Sequence, residues 1–469
     1  VGFEAIDAAS GKFRITNRFY FTNLKKYQIH YSVLSNNKTI KSGKVSLDIA
    51  PQASKEFTVP VNGLKSQPGT EYFVNFSVTT VEPEPLIPAG YEIAYDQFQL
   101  PIQAEKRIYK ANGPALTTAT SGDELTVSSS KVNFVFNKKS GLVTSYKVDG
   151  TEYFKDGFGI QPNFWRAPND NDYGNGAPKR LQVWKQSSKN FHVTDVKMTT
   201  ENKVVSLKAT YLLAAGNLYV VTYRIYPSGI VNVSAQFTST DMQAAETEVS
   251  EATRMATFTP GSDAARKAAS KLEVPRIGVR FRLPAQMNNV QYFGRGPEEN
   301  YIDRNHGTLV GVYKTTADKM YFNYVRPQEN GHHTDTRWIA LSPDKGNGLA
   351  IVADSLIGFN ALRNSIEDFD SEEALPHPYQ WNNFSPEEVA NHDEKAARNV
   401  LRRMHHVNDI TPRDFVEVCV DMKQQGVGGY DSWGARPEPF HQIPANRDYS
   451  WGFTLVPVRS ASQANEVAK

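Results

Sequence analysis

The chain has 469 residues, with 52 basic and 50 acidic side chains and a formal net charge of +2. This balanced charge provides no single-sign field to attract nucleic acid or an anionic membrane surface, so we expect neither partner. No apolar run approaches the roughly 20 residues that a membrane-spanning helix requires, which predicts a soluble protein.

The first predicted unit covers residues 1–103. Its opening stretch, "GFEAIDAASGKFRITNRFYFTNL", reads at once as strand, turn and strand. We therefore expect the sequence to be a piece of a longer polypeptide. A unit of about 100 residues with short strands and turns is typical of an immunoglobulin-like β-sandwich.

The alternation of polar and apolar residues lapses between Leu100 and Glu124, where small, polar and proline residues dominate. Such a break predicts a linker, which we assign to residues 104–122. The one cysteine, Cys419, lies in an apolar, strand-like run and cannot form an intrachain disulfide, so we expect a buried and inert thiol.

Residues 123–460 return to period-two alternation, which is typical of half-buried strands. Val132, Phe134 and Phe136 share one face, and the stretch around Pro227–Gly229 predicts a β-hairpin. Helical patterns are confined to two short stretches, which begin at Gly261 and at Ser385. With no second composition break, this region predicts one large sandwich of two broad sheets, followed by a polar tail at 461–469. The predicted fold class is all-β.

The stretch "RAPNDNDYGNG" from Arg166 to Gly176 resembles the start of a calcium loop, because Asp170 and Asp172 supply oxygen ligands on a turning backbone. The EF-hand pattern fails at its fifth and twelfth positions. The alternative is an Asx-rich turn in which the side chains bind their own backbone.

A second polar stretch, "YFGRGPEENYIDRNHG", contains Glu298 and Glu299. Paired carboxylates are what glycosidic cleavage requires, but neighbours on a strand point to opposite faces. A loop stabilised by ion pairs with Arg295 and Arg304 is the favoured interpretation.

A third stretch, "VRPQENGHHTDTRW", contains Glu329, His332 and His333. A neighbouring histidine and glutamate could perform acid and base steps on a sugar, whereas no spacing of metal ligands is present. A structural polar turn is the alternative.

The stretch "QQGVGGYDSWGARPEPFH" places Gly426, Gly428 and Gly429 shortly before Asp431 and Trp433. The glycines permit positive φ angles and close backbone approach, so the loop could project the indole. An indole face packs well against the C–H face of a pyranose while its N–H donates to a polar group. The alternative is that Trp433 fills a gap at the edge of the sandwich. The sequence has no nucleophile elbow, phosphate loop or dinucleotide motif, and we assign no catalytic residue.

Taken in order, "RAPNDND", "GRGPEENYIDR", "YVRPQENGHHTDTRW" and "GVGGYDSWG" resemble the C-terminal domain of the large, LacZ-type β-galactosidases of glycoside hydrolase family 2. Residues 1–103 resemble the immunoglobulin-like domain that precedes it. The resemblance implies a galactose-mutarotase-like β-supersandwich after that domain. It also implies that the (β/α)8 barrel of a retaining β-galactosidase, with its two catalytic glutamates and most of its Mg²⁺ and Na⁺ ligands, is absent from this sequence.

Within the family, the tryptophan of the "DSW" segment reaches the barrel's active site, and here it matches Trp433. Tyr430 and the "GARPEP" continuation depart from many relatives. The Asn465–Glu466 pair lies in the polar tail and does not match the family's acid/base glutamate. Further polar or barrel-facing candidates are Arg166, Asp170, Asp172, Glu299, Glu329, His332, His333 and Asp431.

The resemblance implies as partners the parent's own barrel, a galactoside substrate and further copies of the parent in a homo-oligomer. It leaves the compartment open between bacterial cytoplasm and periplasm. We expect this chain alone to be inactive and to need no cofactor of its own. Two alternatives remain: a stand-alone sugar-binding or epimerase-like module, using Glu299, Glu329, His332 and His333, or a module that only braces the barrel.

Overall fold

A computed structural model describes most of the chain and divides it into two compact units. One unit comprises Val1–Tyr109 with Leu309–Val312, and the other comprises Lys110–Thr308 with Tyr313–Val467. The described residues are 1–102, 108–239, 273–370, 406–460 and 463–467. The helical patterns at Gly261 and Ser385 lie outside them.

The first unit is a β-sandwich of seven strands. Its strands are β1 (Gly2–Asp7), β2 (Lys12–Thr16), β3 (Tyr27–Ser35), β4 (Lys38–Val45), β5 (Ser54–Thr58), β6 (Tyr72–Thr80) and β7 (Glu92–Gln99). They form a three-stranded sheet, β1-β2-β5, and a four-stranded sheet, β4-β3-β6-β7. Phe13 and Phe57 of the first sheet pack on Phe76 of the second, with ring centroids 5.0 and 5.4 Å from it. A two-sheet β-sandwich is therefore present, and its immunoglobulin-like type stays a prediction.

The second unit begins with a five-stranded antiparallel sheet. Its strands are β8 (Thr117–Ser121), β9 (Glu124–Ser128), β10 (Val132–Asn137), β11 (Leu142–Val148) and β12 (Thr151–Glu152). Val132, Phe134 and Phe136 all face the core, as the alternation predicted. The linker predicted at 104–122 is wrong at its end, because β8 pairs with β9 there. The threonines of β8 favour a strand although both faces are exposed, so the apolar signal of a strand is missing.

Twelve further strands form one large sheet. They are β13 (Gln161–Asn163), β14 (His192–Glu201), β15 (Val204–Leu212), β16 (Leu218–Ile225), β17 (Val231–Thr238), β18 (Arg276–Pro284), β19 (Asn289–Gly296), β20 (Leu309–Thr316), β21 (His333–Ser342), β22 (Gly348–Leu362), β23 (Phe415–Gln424) and β24 (Tyr449–Val458). The main order is β13-β18-β23-β22-β24-β17-β16-β15-β14, with β19 to β21 joined at β22. The predicted hairpin is confirmed as β16 and β17.

Aromatic side chains fill the space between the two sheets of the second unit. Phe134 lies 5.7 Å from Tyr223, and Phe154 lies 5.6 Å from Phe281, measured between ring centroids. Cys419 is buried on β23, and burial raises the pKa of its thiol. A large sandwich built on two broad sheets is therefore present, as predicted.

The described helices are all short. The α-helices are α1 (Asp170–Gly174), α2 (Ala177–Arg180), α3 (Gln182–Ser187), α4 (Ala317–Met320), α5 (Ile366–Phe369) and α6 (Ala464–Val467), and the 3₁₀ turns are Leu24–Lys26, Lys155–Gly157, Val407–Asp409 and Pro439–His441. The predicted all-β class is confirmed. Within the described ranges, no helix has the length and apolar character needed to cross a membrane.

Candidate functional site

The segment Gln425–Ala435 follows β23 directly, and we call it the tryptophan loop. It begins buried at Gln425 and Gly426 and becomes exposed at Gly429. Trp433 is 68% exposed, so it does not fill a gap in the sandwich. Tyr430, on the same loop, is also exposed, so the loop presents two aromatic side chains together, and we treat it as the candidate site.

The glycines of this loop act differently from the expectation. Positive φ occurs not at Gly426, Gly428 or Gly429 but at Gly434, with φ of 134°. Gly426 and Gly429 instead allow neighbouring atoms to approach the backbone closely. A Cβ at Gly426 would lie 2.4 Å from Asp303 Oδ2, and a Cβ at Gly429 would lie 2.4 Å from the carbonyl oxygen of Ala435.

The stretch that begins at Arg166 binds the base of the tryptophan loop. Arg166 is buried and donates from Nη1 to the carbonyl oxygen of Gln425, at 2.7 Å, and from Nη2 to that of Gly426, at 3.0 Å. Asn169 Nδ2 donates to the carbonyl oxygen of Val427 at 2.8 Å. These side chains supply partners for carbonyl groups that no strand serves.

Asp172 connects this stretch to α1. Its carboxylate accepts from Arg166 Nη2 with both oxygens, at 3.0 and 3.1 Å. It also accepts from the backbone N–H of Asn169, whose side chain in turn accepts from the N–H of Asp172. This capping box accounts for the Asx-rich sequence. Asp170 is more exposed and pairs with Arg326 at 3.2 Å.

Two further carboxylates shape the tryptophan loop. Asp303 Oδ2 accepts from the N–H of Gly428 at 2.8 Å. Asp431 Oδ1 accepts from the N–H groups of Ala435 and Trp433, both at 3.0 Å, and these bonds lower the pKa of Asp431. The carboxylate of Asp431 thus closes a tight turn around the tryptophan.

Glu299 accepts hydrogen bonds from groups of neighbouring residues. It pairs with Arg304 at 2.6 Å and accepts from the N–H of Gly331 at 2.7 Å, and the hydroxyl of Tyr324 also donates to it. Arg295 pairs with Asp335 instead of with a glutamate. The favoured ion-pair interpretation is therefore half right, since it holds for Arg304.

Glu329 belongs to a buried ionic cluster, which we define as Arg276, Glu329 and Asp421. Arg276 lies 2.8 Å from Glu329 Oε1 and 3.3 Å from Asp421 Oδ2, and its guanidinium also donates to Gln424. Burial raises the pKa of Glu329, with Arg276 opposing. Burial likewise raises the pKa of Asp421 to about 7.

The two histidines are buried in the same region. His332 stacks on Tyr301, and burial lowers its pKa well below the usual value, with Arg276 adding to the effect. The ring nitrogens of His333 lie 3.0 Å from the carbonyl oxygen of Gly331 and 3.2 Å from that of Pro297. Burial also lowers the pKa of His333. Neither imidazole is exposed to a substrate, so the epimerase-like alternative lacks an accessible acid or base among its named histidines.

The described residues contain no group of three or more His, Cys, Asp or Glu arranged to hold a metal ion. Sequence reasoning missed Asn169, Arg276 and Asp421, which all lie in the described network, whereas Asp303 stands out as a third carboxylate beside Glu298 and Glu299. Asn169 lies inside a quoted motif, but nothing local distinguishes Arg276 or Asp421 from ordinary strand residues.

The fold and the site define an all-β protein whose two-sheet sandwich displays a tryptophan on a firmly held loop. Residues 128–455 match the family described as "Beta galactosidase small chain", and residues 13–101 match "Beta-galactosidase, domain 4". The chain belongs to the beta-galactosidase small-chain family.

Curated relatives agree with this assignment. A beta-galactosidase of Priestia megaterium is 32% identical over 98% of this chain and 38% of its own length. A beta-galactosidase of Streptococcus thermophilus is 24% identical over 95% of this chain and 37% of its own length. The chain thus spans less than two fifths of the length of these relatives.

The comparison with solved structures includes matches to two proteins of Lactobacillus acidophilus. A galactose 1-epimerase is 8% identical with a TM-score of 0.35, and covers 74% of this chain and 98% of its own. A galactose mutarotase related enzyme is 8% identical with a TM-score of 0.36, and covers 72% and 98%.

Proposed function

We propose that this chain is the C-terminal part of a longer polypeptide that hydrolyses terminal β-D-galactosides with retention, and that it completes the sugar pocket with Trp433. We call that longer polypeptide the full-length enzyme. The family match and the share of each relative that this chain covers support the proposal. The observation that carries it is the exposed indole of Trp433 on a loop whose base is buried.

The role of Trp433 in this proposal is binding and orientation. An indole face covers the C–H face of a galactose ring and removes apolar surface from water, while the ring hydroxyls remain available to polar groups. A rigid platform contributes more to binding than a mobile one, because less conformational freedom is lost on association. Arg166 and Asn169 donate hydrogen bonds to the loop backbone and Asp303 accepts one from it, and these bonds supply that rigidity.

The chemical step belongs to the part of the full-length enzyme that precedes this chain. Retaining glycosidases place two carboxyl groups about 5–5.5 Å apart, one as acid/base and one as nucleophile. The carboxylates of this chain near the loop are engaged by ion pairs or backbone N–H groups, as Asp172 and Asp431 illustrate. We therefore propose that this chain alone does not hydrolyse galactosides, and that Mg²⁺ and Na⁺ act in the preceding part. We further propose that the full-length enzyme is a homo-oligomer.

The test compares two purified proteins on a nitrophenyl β-galactoside. The full-length enzyme is expected to release nitrophenol, whereas the chain 1–469 alone is expected to release none. Trp433→Ala in the full-length enzyme is expected to raise KM and lower kcat, and Trp433→Phe to retain part of the binding because it keeps an aromatic face. Nitrophenol release by the isolated chain, or an unchanged KM for Trp433→Ala, contradicts the proposal.

The epimerase-like alternative has its own measurement. Mutarotation of α-galactose can be followed by optical rotation with and without the chain. A rate equal to that of buffer is expected, because the imidazoles of His332 and His333 are buried. Faster mutarotation in the presence of the isolated chain would favour the alternative.

A further inference from the structure

The backbone at the base of the tryptophan loop is held by side chains from distant parts of the sequence. Residues Gln425 to Gly428 lie beyond the end of β23, so no strand partner satisfies all their polar groups. A buried backbone group without a partner costs about as much as a lost hydrogen bond. The N–H groups of Gln425 and Gly426 donate to the carbonyl oxygens of Pro275 and His441, and side chains serve other polar groups of the segment, so both sets of bonds hold the loop in its conformation.

The side chain of Arg166 binds the backbone carbonyl groups of this segment. The guanidinium of Arg166 is held by both oxygens of Asp172 and donates at the same time to the carbonyl oxygens of Gln425 and Gly426. Arg166 is only 2% exposed. A planar guanidinium can serve a carboxylate and two carbonyl groups in fixed directions, whereas a lysine ammonium is a point charge that cannot reproduce that geometry.

The carboxylate of Asp303 binds a backbone N–H group of the same segment. Asp303 Oδ2 accepts from the N–H of Gly428, and it lies so close to Gly426 that a Cβ there would be 2.4 Å away. Asp303 reaches the loop from the "ENYIDR" stretch, independently of Arg166. Its other oxygen, Oδ1, is buried without a hydrogen-bond partner within the described part of the chain, so the carboxylate is oriented by the loop itself.

We propose that Arg166 and Asp303 are positioning residues of the galactoside site: they fix the backbone at Gln425–Gly428 and thereby place the indole of Trp433 where a galactose ring can bind. This inference rests on the proposed function. Neither residue needs to touch substrate, since both act through the loop backbone. The two residues carry opposite charges and bind opposite polar groups, so each can be tested without the other.

The test uses the full-length enzyme and a nitrophenyl β-galactoside. Arg166→Lys keeps the charge but loses the fixed fork, and Asp303→Ala removes the acceptor of the Gly428 N–H. Each is expected to raise KM about tenfold, equivalent to about 1.4 kcal/mol, with a smaller change in kcat. Asp303→Asn retains an oxygen acceptor and is expected to restore most of the lost affinity.

The matched control is Arg280→Lys. Arg280 is also buried and pairs with both carboxylate oxygens of Glu367, at 2.8 and 2.9 Å. It lies on β18, which does not continue into the tryptophan loop. We expect this substitution to lower the unfolding temperature without changing KM. In a Trp433→Ala background, Arg166→Lys and Asp303→Ala are expected to leave KM unchanged, because the platform that they position is gone.

The outcomes separate this inference from the proposed function. If Trp433→Ala leaves KM unchanged, the proposed function fails. If Trp433→Ala raises KM while Asp303→Ala does not, only the positioning role fails. The same conclusion follows if the effects of Trp433→Ala and Asp303→Ala on KM simply add. Should Arg166→Lys fail to fold, the comparison of Asp303→Ala with Asp303→Asn decides alone.

Discussion

Replacing Arg276 by methionine should reveal how strongly the buried ionic cluster depends on one cation. Arg276 is fully buried between Glu329, at 2.8 Å, and Asp421, at 3.3 Å. Methionine fills much of the same volume without a charge. The substitution therefore leaves the carboxylates of Glu329 and Asp421 in the core without the guanidinium that pairs with them. A buried carboxylate without a cationic partner takes up a proton rather than remain ionised.

The size of the effect follows from the cost of that protonation. Keeping a carboxyl protonated costs about 1.4 kcal/mol for each pH unit above its unfolded pKa of about 4. Asp421 already has a pKa near 7, so the new cost falls mainly on Glu329. The free energy of unfolding should fall by about 4 kcal/mol at pH 7 and by only about 1 kcal/mol at pH 5.

Urea unfolding of the chain at the two pH values measures this difference. Arg282→Met is the control, since Arg282 is partly exposed and its loss leaves Glu417 paired with Arg280. In the control, the free energy of unfolding should fall by a smaller amount, and that decrease should grow less sharply as pH rises. An Arg276→Met variant that loses less than about 1 kcal/mol at pH 7, or loses equally at both pH values, would refute the reasoning.

Two further predictions concern the same region. Gly434→Ala should raise KM of the full-length enzyme and lower its stability, because the residue has a φ of 134° and its Cβ would lie 2.4 Å from the backbone carbon of Gly174. The control is Gly216→Ala, where φ is 86° and the space around the residue is open. Equal effects of the two substitutions on KM would contradict the prediction. Asp421→Asn should gain stability relative to the unmodified chain as pH rises. The folded pKa of about 7 lies above the unfolded value, so the contribution of Asp421 is fully present below about pH 4 and is lost as pH rises to 7. Between pH 5 and 8 the relative gain should be about 3 kcal/mol by thermal or urea unfolding, and the absence of any gain would show that Asp421 is ionised throughout this range.

The strands could be predicted where apolar residues alternate, and not elsewhere. Val132, Phe134 and Phe136 predict their buried face correctly, because period two is a local property of the chain. Strand β8 was missed since its threonines and Ala119 are all exposed, so its position depends on pairing with β9 rather than on burial.

The candidate site could be predicted in its chemistry but not in its connections. Trp433 stands out because glycines surround it, and its 68% exposure agrees with a displayed indole. The partners of its loop lie far away in sequence, as Arg166 and Asp303 do, and such contacts have no local signature. The positive φ was assigned to the wrong glycines, since Gly434 adopts it. Which glycine turns the chain depends on the contact with Gly174, which no single stretch reveals.

The most direct test of the central claim observes Trp433 while a galactoside binds. The full-length enzyme is labelled with 5-fluorotryptophan, and the signal of residue 433 is assigned by its loss in Trp433→Phe. The other tryptophans of this chain that the structure describes are all buried, at 6% exposure or less. On titration with isopropyl thiogalactoside, which is not hydrolysed, the account predicts a saturable shift of the Trp433 signal with a Kd equal to the inhibition constant. A Trp433 signal that stays unchanged while the galactoside binds and inhibits would contradict the account.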